Sequence, residues 1–254
     1  MKLMTYNILE GGEDFLEELG EVMEQAGPDV IAIEEANDEY VFASLAERLG
    51  FVRALGEGSH GFHVGVLSRY PILRSYNHSD KGEFFHTMLE VHLATPGRPT
   101  TLFAAHLYPG YSPALEQHRV EEVEAILRYM QPVSANPCLL VGDFNALSPQ
   151  DNLNLEDWPL NWRLNILAQG GEIRRDAIRA ILKAGLTDCY RARFPDPAVC
   201  PGYTLPASRP NVRLDYIFAN GLMLEKLQSC RVWRDDPAPQ TSDHLPVLAE
   251  FSDF

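Results

Sequence analysis

Six short stretches of the chain carry side chains that can ligate a cation or move a proton. Each stands at or beside the end of an apolar run. Gly142-Asp143-Phe144-Asn145 follows the apolar Cys138–Val141. If the chain stays extended there, Asp143 and Asn145 point to one side, because strand side chains alternate with a period of two. The carboxyl end of a buried strand is where open α/β sheets place ligands. The competing reading is an Asx turn, in which Asp and Asn satisfy nearby backbone groups. Ser242-Asp243-His244-Leu245-Pro246 precedes the last apolar run. Contiguous Ser-Asp-His is not a nucleophilic triad, since adjacent side chains diverge. A turn there either brings Asp243 and His244 to one site or leaves a solvated histidine. Asp215 lies in Arg213-Leu-Asp-Tyr-Ile-Phe218, among apolar neighbours. A lone buried carboxylate is costly, so Asp215 needs a cation or a donor. His244 is the natural partner, because an Asp–His pair fixes the imidazole tautomer. Glu34-Glu35 ends Val30–Ile33, which suggests metal ligation by one of the two. Asn7 ends the first apolar run, and His106 ends Thr100–Ala105.

A set rich in carboxylate and amide oxygens suits Mg²⁺ or Mn²⁺ better than zinc. The four cysteines have no C-x-x-C spacing, which argues against a thiolate zinc site and a disulfide scaffold. No nucleophile elbow and no His-x-x-x-His spacing is present, which argues against serine and zinc hydrolases.

The elements that must position these groups read as mixed α/β. Strands are expected over Lys2–Leu9, Asp29–Ile33, Phe62–Ser68, Ile72–Asn77, Phe84–Leu93, Thr100–Leu107, Pro137–Val141, Leu214–Phe218, Leu222–Trp233 and Pro246–Phe251. Phe15, Leu16, Leu19, Val22, Met23 and Ala26 form one helical stripe, stopped by Gly27-Pro28. Further helices are expected over Asp38–Leu49, after Ser112-Pro113 and over Ile173–Ala184. The early interleaving of strands and helices favours mixed sheets covered by helices. One domain over residues 1–254 is expected, with a polar, irregular insertion around 148–171. Its Trp158 and Trp162 either stack a base or sugar or anchor the insertion to the body.

Taken in order, Thr5-Tyr6-Asn7-Ile8, Glu34-Glu35, Ala105-His106-Leu107, Gly142-Asp143-Phe144-Asn145, Arg213–Phe218 and Ser242–Pro246 resemble the endonuclease/exonuclease/phosphatase superfamily. The resemblance runs from residue 4 to residue 247. It implies a four-layer α/β sandwich, two mixed β-sheets face to face with helices outside. It further implies a metal-dependent phosphoesterase that uses Mg²⁺ or Mn²⁺. By the same resemblance Glu35 is the principal metal ligand, supported by Asn7 and Asp243. Asp143 would orient or deprotonate the attacking water, and Asn145 and His106 would contact the phosphate. Asp215 and His244 would engage the phosphate or the leaving group. Arg213 and Tyr108 are the expected substrate contacts. Glu34, where the family commonly has Gln, and Ala105, where many members carry a small polar residue, depart from the pattern.

Composition bounds the substrate. Hydrophobic residues at 45% and charged residues at 22% exclude a disordered or collagenous chain. No apolar run is long enough to cross a bilayer, and the start reads as a strand and not a signal peptide, so a cytoplasmic location is expected. The net charge of −15 weighs against a nucleic-acid partner. Residues 174–234, with a local charge of +6 that includes Arg191, Arg193, Arg209 and Arg213, leave room for one anion-binding face. The expected substrate is therefore a phosphate ester. It is either a nucleic-acid or nucleotide-like diester, or the phosphate of a small molecule or lipid head group. A catalytically dead binding scaffold would lack some of the catalytic types, and none is missing. The sequence does not fix the oligomeric state.

Overall fold

Alternation along the strands determines what lies inside this protein. The computed structural model describes the backbone of residues 1–254 and every side chain except those of Asp80 and Asp157. The strands, in chain order, are β1 (Lys2–Asn7), β2 (Val30–Glu34), β3 (Val52–Gly56), β4 (Val64–Ser68), β5 (Ile72–Asn77) and β6 (Thr87–Leu93). Then follow β7 (Thr100–His106), β8 (Cys138–Asp143), β9 (Thr187–Asp188), β10 (Asp215–Ala219), β11 (Leu227–Val232) and β12 (Val247–Phe251). They form two six-stranded sheets, ordered β11-β12-β1-β2-β4-β3 and β5-β6-β7-β8-β10-β9. Each sheet is mixed: β1 and β2 run parallel in one, β7 and β8 in the other, and the remaining pairs are antiparallel.

One side chain in two from each sheet enters a shared interior. Leu3, Val30, Ala32, Val64 and Val66 of the first sheet meet Leu89, Val91, Leu102, Ala104, Leu139, Val141 and Ile217 of the second. The alternate residues face outward onto helices. Met4, Tyr6, Ile31 and Ile33 pack on α1 (Leu16–Ala26) and α2 (Glu39–Leu49). Phe103, Leu140, Tyr216 and Phe218 pack on α3 (Pro113–Met130) and on the helix Asp176–Lys183. The result is the expected four-layer α/β sandwich of two mixed sheets with helices outside.

Local signals explain the helix starts. Asp38 caps α2 by accepting from the Val41 N–H at 2.7 Å. Ser112 caps α3 from the Leu115 N–H, with Pro113 in the first turn. The sequence reading differs from the structure in several places, four of which bear on the layout. Strand β3 was not expected; two of its residues are exposed, so it lacks an apolar run. The expected strand Leu222–Trp233 begins instead as a helical turn, Gly221–Leu224, capped by Asn220, and β11 follows it. The helix falls where expected near Ile173–Ala184 but starts only at Asp176. The stretch 148–171 contains a further helix, α4 (Leu160–Ala168). Among the described residues, no helix is long and apolar enough to cross a membrane.

One glycine is required where the sheet meets the site. Gly142 has φ +135°, and a Cβ there would lie 1.9 Å from the Ala105 carbonyl oxygen on neighbouring β7. Gly142→Ala therefore combines backbone strain with a backbone clash. Chemical denaturation of this variant should show a loss of about 3 kcal/mol or more, and an unchanged midpoint would refute the close approach.

Candidate active site

Five site residues are the terminal members of the inward-facing rows. On β1 that row is Leu3, Thr5, Asn7, and on β2 it is Val30, Ala32, Glu34. On β7 it ends at His106, on β8 at Asp143, and on β10 it begins at Asp215. Register aligns them: His106 sits opposite Asp143, Asp143 opposite Asp215, and Asn7 opposite Glu34. The apolar interior between the sheets thus ends in a buried polar cap.

The cap is tight. Ligand atoms of Asp143, Asp215 and His244 all lie within 4.8 Å of one another, and all three residues are buried. His244 Nδ1 is 2.9 Å from Asp215 Oδ2, and its Nε2 is 3.8 Å from Asp143 Oδ2. His106 Nε2 approaches the same Asp143 oxygen at 3.6 Å. Asn7 Nδ2 donates to Asp143 Oδ2 at 3.2 Å and to Glu35 Oε1 at 3.1 Å, linking the buried cluster to the more open Glu35. Glu35 has φ +59°, so the chain turns as β2 ends. Its second oxygen accepts from the Glu10 N–H. Ser242 Oγ donates to the Asn7 carbonyl and accepts from the His244 N–H, which fixes the turn that delivers His244.

The electrostatics follow from burial. Burial raises Asp143 to about 7, against the lowering effect of His244 beside it. Burial alone would hold His244 neutral, but the Asp215 and Asp143 carboxylates raise it to about 10. Burial pushes His106 well below the ordinary histidine value, reinforced by His86 and His244. Glu34 is fully buried, and burial together with the Asp215 charge pushes its carboxyl well above the carboxylate range. Its Oε1 accepts from Thr5 Oγ1 at 2.9 Å. Asp215 Oδ1 is buried without a hydrogen-bond partner among the described residues. Two carboxylates and an imidazole this close, with an orphaned acceptor oxygen and Asn7 and Glu35 alongside, form a donor set that fits a divalent cation.

Several expectations are relocated. Asn145 has φ +47°, so the chain is not extended past Asp143. The Asx turn is realised, with the Asn145 N–H donating to Asp143 Oδ1 at 2.9 Å. The turn itself still brings Asn145 Nδ2 to Asp143 Oδ2 at 3.4 Å. Asp243 is exposed and outside the tight cluster, although its charge acts on His244 and Tyr6. Tyr108 also lies outside the cluster; its ring lies tilted against Phe85 at 3.9 Å and stacks on His118 at 5.6 Å.

The expectation for Arg213 as a substrate contact is overturned. Its side chain is 1% exposed and is paired with Asp151 at 2.9 Å and Asp188 at 2.6 Å. Arg191 is likewise buried against Asp151 at 2.7 Å. Both guanidinium groups are thus neutralised inside the protein and set back from the surface, with Arg213 Nη1 left without a hydrogen-bond partner among the described residues.

Three groups carried no usable signal in the sequence. His86 is 2% exposed, packs edge-on against His106 at 4.2 Å, and has no partner for either ring nitrogen among the described residues. Arg119 of α3 pairs with Glu116 and donates to the Tyr108 and Gly110 carbonyls, pinning the loop after β7. Tyr111, at the end of that loop, lies close enough for the Asp143 charge to add to burial in raising its phenol. A histidine just before a strand, an arginine on a helix and a tyrosine in a loop look ordinary until the strands are assembled.

Residues 4–244 match the Endonuclease/Exonuclease/phosphatase family. Among solved structures, the chain is similar to an AP endonuclease from Archaeoglobus fulgidus, at 20% identity and a TM-score of 0.77, with 99% of each chain covered. It is similar to the 3′-5′ exonuclease NExo from Neisseria meningitidis, at 21% identity and a TM-score of 0.77, with 100% of each covered. The 3′ phosphatase NExo from Neisseria, bound to a product DNA hairpin, matches at 21% identity and a TM-score of 0.74, with 99% of each covered. No curated protein sequence matches.

Burial lowers His86 to about 4. The unfolded chain therefore binds a proton at this position near pH 6.5 that the folded chain refuses until about 4, and stability falls as pH drops through that window. His106 acts in the same direction. His86→Phe keeps the ring packing and removes one of the two titrations. Its Tm should decline less steeply than wild type between pH 6.5 and pH 5, a difference on the order of 1 kcal/mol at pH 5. Parallel curves would show that His86 does not oppose its own protonation.

Proposed function

The chain belongs to the endonuclease/exonuclease/phosphatase family, and we propose that it is a divalent-metal-dependent phosphoesterase that cleaves a phosphodiester by in-line attack of water. The observation that carries this reading is the convergence of Asp143, Asp215 and His244 within 4.8 Å at the polar end of the inter-sheet core. A phosphodiester resists water because its oxygens repel the nucleophile. Glu35 and Asn7, with Asp243 on the exposed side, are the residues we assign to Mg²⁺ or Mn²⁺, which when bound would neutralise charge on the phosphoryl oxygens.

The protein's own groups supply the rest. Asp143, raised to about 7, is matched to a neutral working pH as the group that orients the water and takes its proton. Asn7 and Asn145 hold that carboxylate by hydrogen bonds from their side-chain amides. His244, kept cationic by the two acids beside it, is the donor to the leaving oxygen, and Asp215 fixes the orientation of its ring through Nδ1–H. Asn145 and the neutral His106 are assigned to the phosphoryl oxygens, where donors stabilise developing charge.

The internal arginines favour a small ester over a long polyanion. Arg191 and Arg213 are taken up by Asp151 and Asp188, and the chain carries a net charge of −15. Binding to a nucleic-acid backbone depends on cationic side chains that release counterions from phosphates. A small-molecule phosphate ester is thus the second reading of the same chemistry.

An activated phosphodiester should be hydrolysed with Mg²⁺ or Mn²⁺ and spared in excess chelator; full activity in chelator would reject the metal. Asp143→Asn should lower kcat by about 100- to 10,000-fold. Its Tm should stay level or rise, because a costly buried carboxyl is replaced by an amide. A normal rate in this variant would show that another group handles the water's proton.

A further inference from the structure

Beside Asn145 opens a cavity of about 360 Å³ that the cleavage chemistry does not use. Its walls come from three places: Tyr111 in the loop after β7, Trp158 and Trp162 in the stretch 148–171, and Val212 and Leu214 just before β10. We propose that this cavity binds a nucleobase, so that the substrate is an ester of a single nucleotide whose phosphate lies at Asp143 and whose base lies against Trp162 and Tyr111. The proposal rests on the phosphoesterase reading and specifies its substrate class.

Four observations select this occupant. First, no charged side chain is among the described residues lining the cavity, so a second phosphate has no counterion there, whereas a neutral base needs none. Second, the two tryptophans differ. Trp158 is 8% exposed and packs with Leu147, Val212 and Leu214 as the floor, whereas Trp162 remains 41% exposed. The Trp162 ring meets Tyr111 at 5.7 Å and 77°, which makes a corner and not a closed stack. A flat ring can lie on one wall of such a corner and turn its edge to the other. Third, the wall is preorganised, because Arg119 holds the Tyr108 and Gly110 carbonyls at 2.7 and 2.6 Å, immediately before Tyr111. Fourth, Asn145 belongs both to this cavity and to the Asp143 cluster, which places the two sites side by side. Arg191 and Arg213, buried against Asp151 and Asp188, add nothing to a track for further phosphates, which agrees with a substrate of one nucleotide.

The test uses three diesters with a common p-nitrophenolate leaving group, joined through phosphate to thymidine (at its 5′ oxygen), to methyl or to n-octyl. In each, water adds to phosphorus, the bond to p-nitrophenolate breaks, and the water proton is released. Stacking on an aromatic side chain contributes about 1–3 kcal/mol, so kcat/KM for the thymidine ester should exceed that for the methyl ester by about 5- to 100-fold. Trp162→Ala should reduce that ratio at least about 5-fold. Leu167→Ser, on the same helix but outside the cavity, should leave the ratio at its wild-type value. A second measurement is independent of turnover: thymidine 5′-phosphate should bind more tightly than methyl phosphate, by titration calorimetry, and lose that advantage in Trp162→Ala. Equal rates for the thymidine and methyl esters overturn the pocket and leave the phosphoesterase reading standing. An octyl ester that outperforms the thymidine ester also overturns it, in favour of a merely apolar pocket. If no ester is hydrolysed while thymidine 5′-phosphate binds in a Trp162-dependent way, the pocket stands and the hydrolase reading fails.

Discussion

Carboxylates do not gather inside a protein without compensation, and that constraint organises this fold. Asp143 and Asp215 face each other across neighbouring strands, with Glu34 near enough for its titration to feel both. Placing like charges in a region poor in water is unfavourable unless they are paired, protonated or bound to a cation. The protein uses the first two means visibly. His244 stands between Asp143 and Asp215, and Glu34 is pushed towards its neutral form. The third means is the chemistry that the donor set fits. Without the two apolar sheets around it, the cluster would be hydrated and its pKa values would be ordinary.

The same strands that make the core also aim the site. The rows that contribute Leu139 and Val141, or Ile217, to the interior end in Asp143 and Asp215. A slip of one residue in the pairing of β8 would turn Asp143 out towards α3 and bring Phe144 inward. Packing energy and site geometry therefore protect one register.

Much of this was legible in the sequence, because strand ends, apolar runs and a lone acid among apolar residues are local signals. The pairing of Asp215 with His244 followed from the cost of leaving that acid unpaired. The β12 strand and α3 with its Ser112 cap lie close to where they were expected. What failed was decided at long range. Asn145 reaches Asp143 through a left-handed turn and not through strand alternation. Arg213 reads as a surface cation until Asp151, 62 residues earlier, and Asp188 close around it. The stretch 148–171 reads as irregular, yet α4 forms there with three exposed leucines, Leu160, Leu164 and Leu167, on a helix that the polar pattern around it conceals.

Strand β1 lies in the middle of its sheet, between β2 and β12, and the amino group of Met1 donates to the Phe251 carbonyl. The earliest and the latest segments of the chain are therefore neighbours in space. While the polypeptide is being made, β1 must wait with one edge unpaired until β12 has emerged, and His244 arrives only just before it. Ribosome-bound intermediates lack the imidazole between the two acids, and the catalytic machinery becomes complete only when the sheet closes.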